Sequence, residues 1–369
     1  MRQWEPRVGS RIVVAMSGGV DSSVAAGLLA EQGHDVIGLS MQLYDSSASS
    51  GQAGDGIRAF GSCCTLDDLH DARRVAAVLG IPHYILNFER QFQDTVISNF
   101  VREYASGRTP LPCAHCNSDL KFSTLLERAR GLGAESVATG HYARVSHAPD
   151  GRWLLRRSAD PDKDQSYFLF SLTQAQLASA SFPVGALTKP EVRAQARRLG
   201  LQVAEKPDSQ EICFVPDGDY ASFVARREPA VMQSGAIVDT AGQVLGAHEG
   251  IHRFTVGQRK GLGIAARTPL YVLKLEPDTR TVTVGPRSAL DQTRLTASSV
   301  NWISADAPGS WLPASAQIRH RHRAAAGRVR ALDDGRAEFV FDHPQPAITP
   351  GQAVVFYDAD VVVGGGWID

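Results

Sequence analysis

Arg11–Ser22 reads RIVVAMSGGVDS, and the fold is legible from this stretch outward. Arg11–Met16 is a short apolar, β-branched run that ends in the turn Ser17-Gly18-Gly19. An Ala- and Leu-rich helix follows over Ser22–Gln32. Val36–Met41 supplies a second strand. Leu66, Leu69, Ala72, Ala76 and Leu79 then recur at helical spacing, stopped by Gly80 with Pro82 beyond it. His83–Leu86 reads as a third strand, Phe122–Arg130 as a helix, and Ser136–Thr139 as a strand running into Gly140 and His141. Thr188, Pro190 and Glu191 open a further helix with capping-box chemistry, closed at Gly200. Strands and helices in this alternation give a parallel sheet covered on both faces, and such sheets bind ligands beyond the carboxyl ends of their strands.

Two stretches break the pattern. Tyr44–Ser62 is rich in Ser, Gly and Ala and reads as a mobile loop near the mouth of the sheet. After about Ser209 helical periodicity fades into short runs punctuated by Gly and Pro. Thr281–Val284, Glu338–Phe341, Ala353–Tyr357 and Asp360–Val363 are strand-like and suit a small β-barrel at the C-terminus. Three domains are expected, over 1–209, 210–286 and 287–369. The Ile251–Ile264 block within the central domain shows only glycine turns.

The 369 residues are 43% apolar and 21% charged, ample for a packed core in each of these domains. Lys and Arg number 38 against 39 Asp and Glu, a formal net charge of −1. That excludes a generally basic nucleic-acid coat protein but leaves room for a local basic stripe. No apolar run is long enough for a membrane span. Met1–Gly9 carries charges and Pro where a signal peptide needs an apolar stretch. Five Cys in such a chain point to a reducing, cytoplasmic compartment, where cysteines are more often redox, metal or nucleophilic residues than staples.

The hexapeptide Ser17–Ser22 stands where a first parallel strand meets a helix. Its two glycines allow a ligand close to the backbone, and the following amides and helix N-terminus make an anion site. Ser17 and Ser22 add hydroxyls, and Asp21 is placed to hold a Mg²⁺ that bridges phosphates. A glycine turn with a serine cap would look similar in any α/β protein. The full SGGVDS, however, is similar to the loop of enzymes that cleave ATP to AMP and pyrophosphate. No GxxxxGK[ST] occurs, which argues against a γ-phosphate-transferring loop. Gly261-Leu262-Gly263 mimics a dinucleotide fingerprint but has no βαβ unit around it.

Cys113-Ala114-His115-Cys116 lies in a Pro-rich loop entering a helix, and Cys213 lies in Asp208–Val215 (DSQEICFV). Sulfur chemistry needs two thiols that can meet, one carrying a terminal sulfur as a persulfide and one expelling it by forming a disulfide. Cys116 precedes a helix, with Lys121 close in sequence, a setting that favours a reactive thiolate. Cys63 and Cys64 read as small buried residues at a helix start.

With these residues in view, the chain resembles the tRNA-specific 2-thiouridylases. The likeness runs from about Arg11 to the C-terminus. It rests on AMSGGVDSSVAA, the CC–LDDL–DARRVAAVLGIPHY stretch, GRTP–PC–CN–KF, ATGHYAR, DKDQSYFL, SQEICFV and EGIHRFTVGQRKGLGI. The resemblance implies a Rossmann-like PP-loop domain (adenine nucleotide alpha hydrolase-like), a small central domain that helps to cradle RNA, and a C-terminal β-barrel. It implies that ATP adenylates the C2 oxygen of uridine 34 in the Lys, Glu and Gln tRNAs, and that sulfur then replaces that oxygen. Cys213 matches the persulfide carrier, loaded by a cysteine desulfurase or a sulfur-relay protein. Cys116 matches the nucleophile, leaving a transient Cys116–Cys213 disulfide. Ala15, Met16, Ser17, Gly18, Gly19, Val20, Asp21, Ser22, Met41 and Gly140 match the ATP-contacting positions. Leu111, Pro112 and Cys113 match the segment that meets the target base. His141, Lys163, Asp164, Gln165, Arg319, His320 and Gln352 match tRNA-contacting positions in the anticodon-arm grip. A monomer is expected.

The chain departs from that pattern at two places. Better-studied family members carry an aspartate where Cys113 stands, credited with proton transfer at the base. Here that role passes to the Cys113 thiol, a water or His115. The substitution also creates a C-x-x-C, and Cys113, Cys116 and Cys213 together are a possible ligand set for a [4Fe–4S] cluster. The persulfide route is favoured over that one, and a structural Zn²⁺ would need a fourth ligand. His320 stands where the family usually shows tyrosine, though histidine also stacks on bases. Arg319–Arg323, with Arg328 and Arg330, is the densest basic run and the local stripe that RNA binding requires. Three rival readings remain. A zinc deaminase fits P-C-x-x-C but lacks its H-x-E. A non-enzymatic RNA-binding or sulfur-carrier module leaves the nucleotide loop idle. An AMP-forming ligase or amidotransferase with the same loop would need no cysteine.

Overall fold

The computed structural model describes residues 8–43, 66–208, 212–215 and 217–369, so the expectations for Tyr44–Ser62, Cys63 and Cys64 lie outside the described residues. The chain divides into two compact units. One takes Met1–Val96, Cys113–Gly218 and Asp360–Val362; the other takes Ile97–Pro112, Asp219–Ala359 and Val363–Asp369.

In the first unit β1 (Arg11–Ala15) leads into helix α1 (Val20–Glu31), β2 (Asp35–Gln42), helix α2 (Leu66–Leu79), β3 (His83–Asn87) and, further on, β4 (Ser136–Thr139). A hairpin of β5 (Ala143–His147) and β6 (Trp153–Arg157) and the short β7 (Ala180–Ser181) complete its strands. Five strands lie in the order β3-β2-β1-β4-β7, and every pairing is parallel. Ile12, Val13 and Val14 are fully buried between helices, which is why β1 is an unbroken apolar run with no alternation. Burial of each such side chain contributes about 1.5–3 kcal/mol to holding the strand in the unit. The chain leaves β1 toward β2 on one side and returns as β4 on the other. The carboxyl ends of β1 and β4 therefore form the switch point where such sheets take their ligands.

The β5–β6 hairpin has no counterpart in the expected alternation of strands and helices. It is held from its open side by Asp360, which accepts from Arg144 at 3.0 Å and Arg156 at 2.9 Å, while Val361 pairs with Arg156. Those partners are distant in sequence, so no local pattern announces them.

The second unit contains a four-stranded sheet in the order β10-β11-β8-β9, built from β8 (Gly235–Val238), β9 (Val244–His248), β10 (Tyr271–Glu276) and β11 (Thr281–Gly285). Ile237, Val272, Val282 and Val284 fill its core with Ile251, Phe254 and Leu262, so the Ile251–Ile264 block supplies core residues as well as turns. The barrel runs β12 (Asp291–Trp302), β13 (Leu312–Gln317), β14 (Ala325–Ala331), β15 (Ala337–Pro346), β16 (Ala353–Asp358) and β17 (Val361–Ile368), in the order β12-β15-β14-β13-β16-β17. Antiparallel pairing of β12 with β17 closes it, and closure removes the unpaired strand edges. Phe356 stacks on Phe339 at 5.7 Å and on Trp302 at 5.8 Å in the barrel core. Among the described residues no helix is long and apolar enough to cross a membrane.

Phe356→Ala is expected to destabilise the barrel by about 3–5 kcal/mol, because removing the ring leaves a cavity under two stacked aromatics. Urea unfolding of the variant against the parent checks it; a shift under about 1 kcal/mol would mean that the core collapses around the gap.

Candidate active site

The nucleotide-type loop leaves the sheet in a defined posture. Met16 N donates to Leu39 O at 2.8 Å, and Ser40 Oγ donates to Met16 O at 2.7 Å, so both backbone polar groups of the residue after β1 are fixed. Ser17 N donates to Ser22 Oγ at 3.2 Å, folding the loop over the start of α1. Ser23 Oγ donates to Gly19 O at 2.8 Å. Gly19, at the N-cap, brings no capping side chain, which leaves the positive end of α1 facing the mouth of the sheet.

Two glycines permit the approach of neighbouring backbone. A Cβ on Gly18 would lie 2.1 Å from Asp68 O, and Gly18 has φ +73°, where side chains are strained. A Cβ on Gly140 would lie 2.4 Å from Ser22 N. The structure therefore brings Ala15–Ser22 and Gly140 together at the switch point, with Met41 buried in β2 next to β1.

Charged groups surround the loop. Asp21 accepts from Tyr142 Oη at 2.9 Å and from Lys189 Nζ at 2.7 and 2.9 Å. Lys206 Nζ reaches Gly18 O at 3.1 Å and the carboxylates of Asp68 and Asp71, each at 2.6 Å. Asp208 receives Lys163 and Lys189, both at 2.7 Å. Burial pushes the Asp208 carboxyl up, but hydrogen bonds from Lys163 and Lys189 outweigh it and hold the group below its ordinary range. Tyr142, Lys189, Lys206 and Asp208 were not singled out from the sequence. The available signal was Lys189 itself, a cation in the first turn of a helix, where the dipole disfavours it.

Cys113 is exposed in the short helix Pro112–His115, while Cys116 and Cys213 are half-buried. Cys116 opens a wide-turn, π-helical stretch, Cys116–Thr124, and regular helix begins only at Leu125. The expected helix start at Phe122 falls inside this stretch; π-turns of this kind are frequent at functional sites. Asn117 anchors it by donating to Phe168 O at 3.1 Å, and Lys121 donates back to Asn117 Oδ1 at 3.1 Å. His115 Nδ1 lies 3.3 Å from Asp119 Oδ2. Burial raises the Asp119 carboxyl, but hydrogen bonds from His115 and Ser118 outweigh it and keep the acid low. Phe214, next to Cys213, packs edge-on against Phe92 at 5.5 Å. Among the described residues no three His, Cys, Asp or Glu side chains are grouped to hold a metal ion. Cys113, Cys116 and Cys213 are thus not preassembled as a cluster ligand set.

Other expected site residues turn inward. Asp164, only 6% exposed, binds Arg157, Ser158 N and Ser166. Gln165 Oε1 accepts from Tyr142 N at 2.9 Å, and Lys163 is committed to Asp208. His141 is half-buried with Nδ1 2.7 Å from Thr139 Oγ1. Burial, with nearby Lys121, holds its pKa well below the ordinary value. Leu111 and Pro112 are buried. In the second unit Gln352 Nε2 donates to Thr109 O and Pro110 O, both at 3.2 Å, and so steadies the chain ahead of Leu111. Arg319 donates to Pro346 O at 3.1 Å, while His320, Arg321 and Arg323 are exposed.

Residues 10–217 match the family of the tRNA methyl transferase HUP domain, 221–286 the tRNA methyl transferase PRC-barrel domain, and 292–368 the aminomethyltransferase β-barrel domain. A tRNA-specific 2-thiouridylase MnmA of Geotalea uraniireducens is 56% identical over 359 residues, covering 97% of this chain and 95% of that protein. The chain belongs to the tRNA-specific 2-thiouridylase family. The Solibacter usitatus member is 53% identical over 367 residues, covering 97% of this chain and 99% of the relative. Among solved structures, a 4-thiouridine synthetase–RNA complex with bound ATP aligns over 60% of this chain and 51% of that one, at 15% identity and a TM-score of 0.36. The matches place this family's HUP domain over the PP-loop sheet and its two further domains over the four-stranded sheet and the barrel.

The low pKa of His141 gives a pH signature. Below 6.5 the unfolded chain takes up a proton that the folded one refuses, so stability falls as the pH drops. His141 alone contributes a slope of at most about 1.4 kcal/mol per pH unit. Urea unfolding at stepped pH is expected to show His141→Gln flattening the acid limb; an unchanged limb would show that this histidine ionises freely in the fold.

Proposed function

We propose that the protein is an ATP-dependent tRNA 2-thiouridylase that acts on uridine 34 of the Lys, Glu and Gln tRNAs. The observation that carries this reading is the whole-length similarity to 2-thiouridylases, joined to a PP-loop at the switch point of a parallel sheet. In this reading residues 1–209, together with Cys213 just beyond them, hold the chemistry, while the rest of 210–286 and 287–369 grip the anticodon arm and flip the base out, at a cost of a few kcal/mol.

The uridine C2 oxygen attacks the α-phosphorus of ATP and pyrophosphate leaves, with Ala15–Ser22, Met41 and Gly140 around the nucleotide. The positive end of α1 and the loop amides favour the phosphate charge. Asp21 is the loop carboxylate that would hold Mg²⁺, which offsets phosphate charge when bound. Cys213 carries the terminal sulfur as a persulfide, loaded by a cysteine desulfurase or a sulfur-relay protein. The Cys116 thiolate attacks the Cys213 sulfur, expels hydrosulfide and forms the Cys116–Cys213 disulfide. Hydrosulfide adds at C2 as AMP departs, and an external dithiol restores both thiols. Leu111, Pro112 and Cys113 border the base, and the His115–Asp119 pair beside them supports His115 as the group that moves the proton. His141, Lys163, Asp164 and Gln165 act on tRNA from the first unit and Arg319, His320 and Gln352 from the second. The inward hydrogen bonds of Asp164 and Gln165 favour a role in shaping the surface over direct contact.

Protein purified without oxygen and free of iron is expected to thiolate unmodified Glu tRNA with ATP, Mg²⁺ and a sulfur donor. Cys213→Ser should abolish the product and leave ATP binding intact. Thiolation retained in that variant would remove the persulfide role, and thiolation confined to iron-loaded protein would move the chemistry to a cluster.

Arg319→Ala is expected to weaken tRNA binding and lower the slope of log affinity against log salt by about one. Filter binding across a salt series measures this; an unchanged slope would make Arg319 a purely structural residue.

A further inference from the structure

The first peptide of the nucleotide loop is gripped at both ends. Met16 O accepts from Ser40 Oγ at 2.7 Å, and on the other side of the same peptide Ser17 N donates to Ser22 Oγ at 3.2 Å. Ser40, in β2, is buried and has a second partner. Its Oγ lies 2.9 Å from Nε2 of His83, the first residue of β3. A serine hydroxyl carries one proton, and a carbonyl can only accept. That proton is committed to Met16 O, so the hydrogen between Ser40 and His83 belongs to Nε2. Burial, with nearby Arg73, lowers the pKa of His83 and keeps the ring neutral near neutral pH, which leaves Nδ1 as a bare acceptor. Nδ1 is buried and has no hydrogen-bond partner among the described residues. An apolar ring would pack there without that cost, so what the imidazole adds is the Nε2–H.

The sheet makes room for this contact. Gly38 stands opposite His83 in the parallel register, and Gly38 and Ser40 share one face of β2. A Cβ on Gly38 would lie 3.1 Å from His83 Cδ2 and 2.6 Å from Met16 Sδ. The imidazole therefore lies over a position with no side chain and reaches Ser40 two residues on. Every donor along the path faces the same way. His83 Nε2–H points to Ser40, Ser40 to Met16 O, Ser17 N–H to Ser22, and Ser22 Oγ to Gly19 O at 3.3 Å. Hydrogen bonds aligned head to tail strengthen one another, and the last members of this chain are the loop itself.

We propose that His83 is a positioning residue for the nucleotide loop, acting through the Ser40 hydroxyl to fix the Met16–Ser17 peptide and with it the Ser22 hydroxyl; this role rests on the ATP-dependent reading above. His83 acts from β3, two strands away from β1. Without its N–H, Ser40 loses the partner that fixes its oxygen, and the Met16 carbonyl is held less firmly. A loop that receives phosphate at its amides then loses binding energy to its own ordering.

The test uses the full chain. Long-range proton–nitrogen spectra of ¹⁵N-histidine-labelled protein near neutral pH show which ring nitrogen of His83 carries the proton, with His83→Gln assigning the signal. Nε2 is expected, and a proton on Nδ1 overturns the proposal. Binding of a non-hydrolysable ATP analogue with Mg²⁺, and of tRNA, is then measured separately. His83→Phe should weaken the analogue about threefold to tenfold, the loss of one hydrogen bond, and leave tRNA affinity unchanged. His83→Gln, which restores an N–H donor, should return to within about twofold of the parent. Ser40→Ala should weaken the analogue as His83→Phe does, and the double variant should be no weaker than Ser40→Ala, as expected of two residues in one chain. The spectrum and Ser40→Ala decide the matter if His83→Phe does not fold. Undiminished analogue affinity in His83→Phe or Ser40→Ala overturns the proposal, as does His83→Gln as weak as His83→Phe, an equal loss of tRNA binding, or additive losses in the double variant. A parent protein that binds no analogue overturns the ATP-dependent reading instead.

Discussion

The nucleotide end of the first unit depends on a backbone contact too close for any side chain. β4 ends at Gly140 directly against the first turn of α1, and a single added carbon there would stand 2.4 Å from the Ser22 nitrogen. Gly18 makes the same demand against Asp68, at the start of α2. These two approaches bring β1, β4, α1 and α2 to one point. The sheet order supplies the rest, because the chain turns outward in opposite directions from β1 and β4 and leaves an open crevice at their carboxyl ends.

Charge is then distributed around that point with little waste. Asp21, Asp208, Asp68 and Asp71 are matched by Lys189, Lys163 and Lys206. Half-buried ions in such a cluster stabilise a fold weakly, since lost hydration offsets most of the attraction. What they provide is register: each lysine accepts only an arrangement in which two elements remote in sequence present their oxygens together. Lys206 ties its own stretch of chain to α2 and the loop, and Lys189 ties Asp208 to Asp21 in α1. Lys206, Asp208 and the Ser17–Ser22 loop are therefore parts of one ionic lattice.

The polar positions expected to face RNA, and the arginines next to them, differ in burial. Asp164 and Gln165 spend their side chains on Ser158, Ser166 and Tyr142, and Gln352 spends its amide on Thr109 and Pro110. His320, Arg321 and Arg323 remain exposed on the barrel. An inward-bonded residue shapes the surface around it; an exposed cation is of the kind that can supply counter-charge to phosphates.

The sequence by itself determined the parallel sheet and the loop at its switch point, and it marked Cys113, Cys116 and Cys213 as candidate residues. Those signals are local: the β-branched run Arg11–Met16, two glycines before a helix, and thiols set in distinctive neighbours. A barrel was legible from alternating strands, but its closure was not, because β12 meets β17 across the whole C-terminal region. The π-helical stretch at Cys116 escaped for a related reason. Its residues suit an ordinary helix, and the wider turn accompanies packing such as the Asn117–Phe168 bond. Tertiary structure alone decided that Lys189, Lys206 and Asp208 belong to the site, since each owes its place to a carboxylate or lysine in another element. Local propensity records what a residue does to its own backbone; a charge pair between remote elements exists only once the chain has folded.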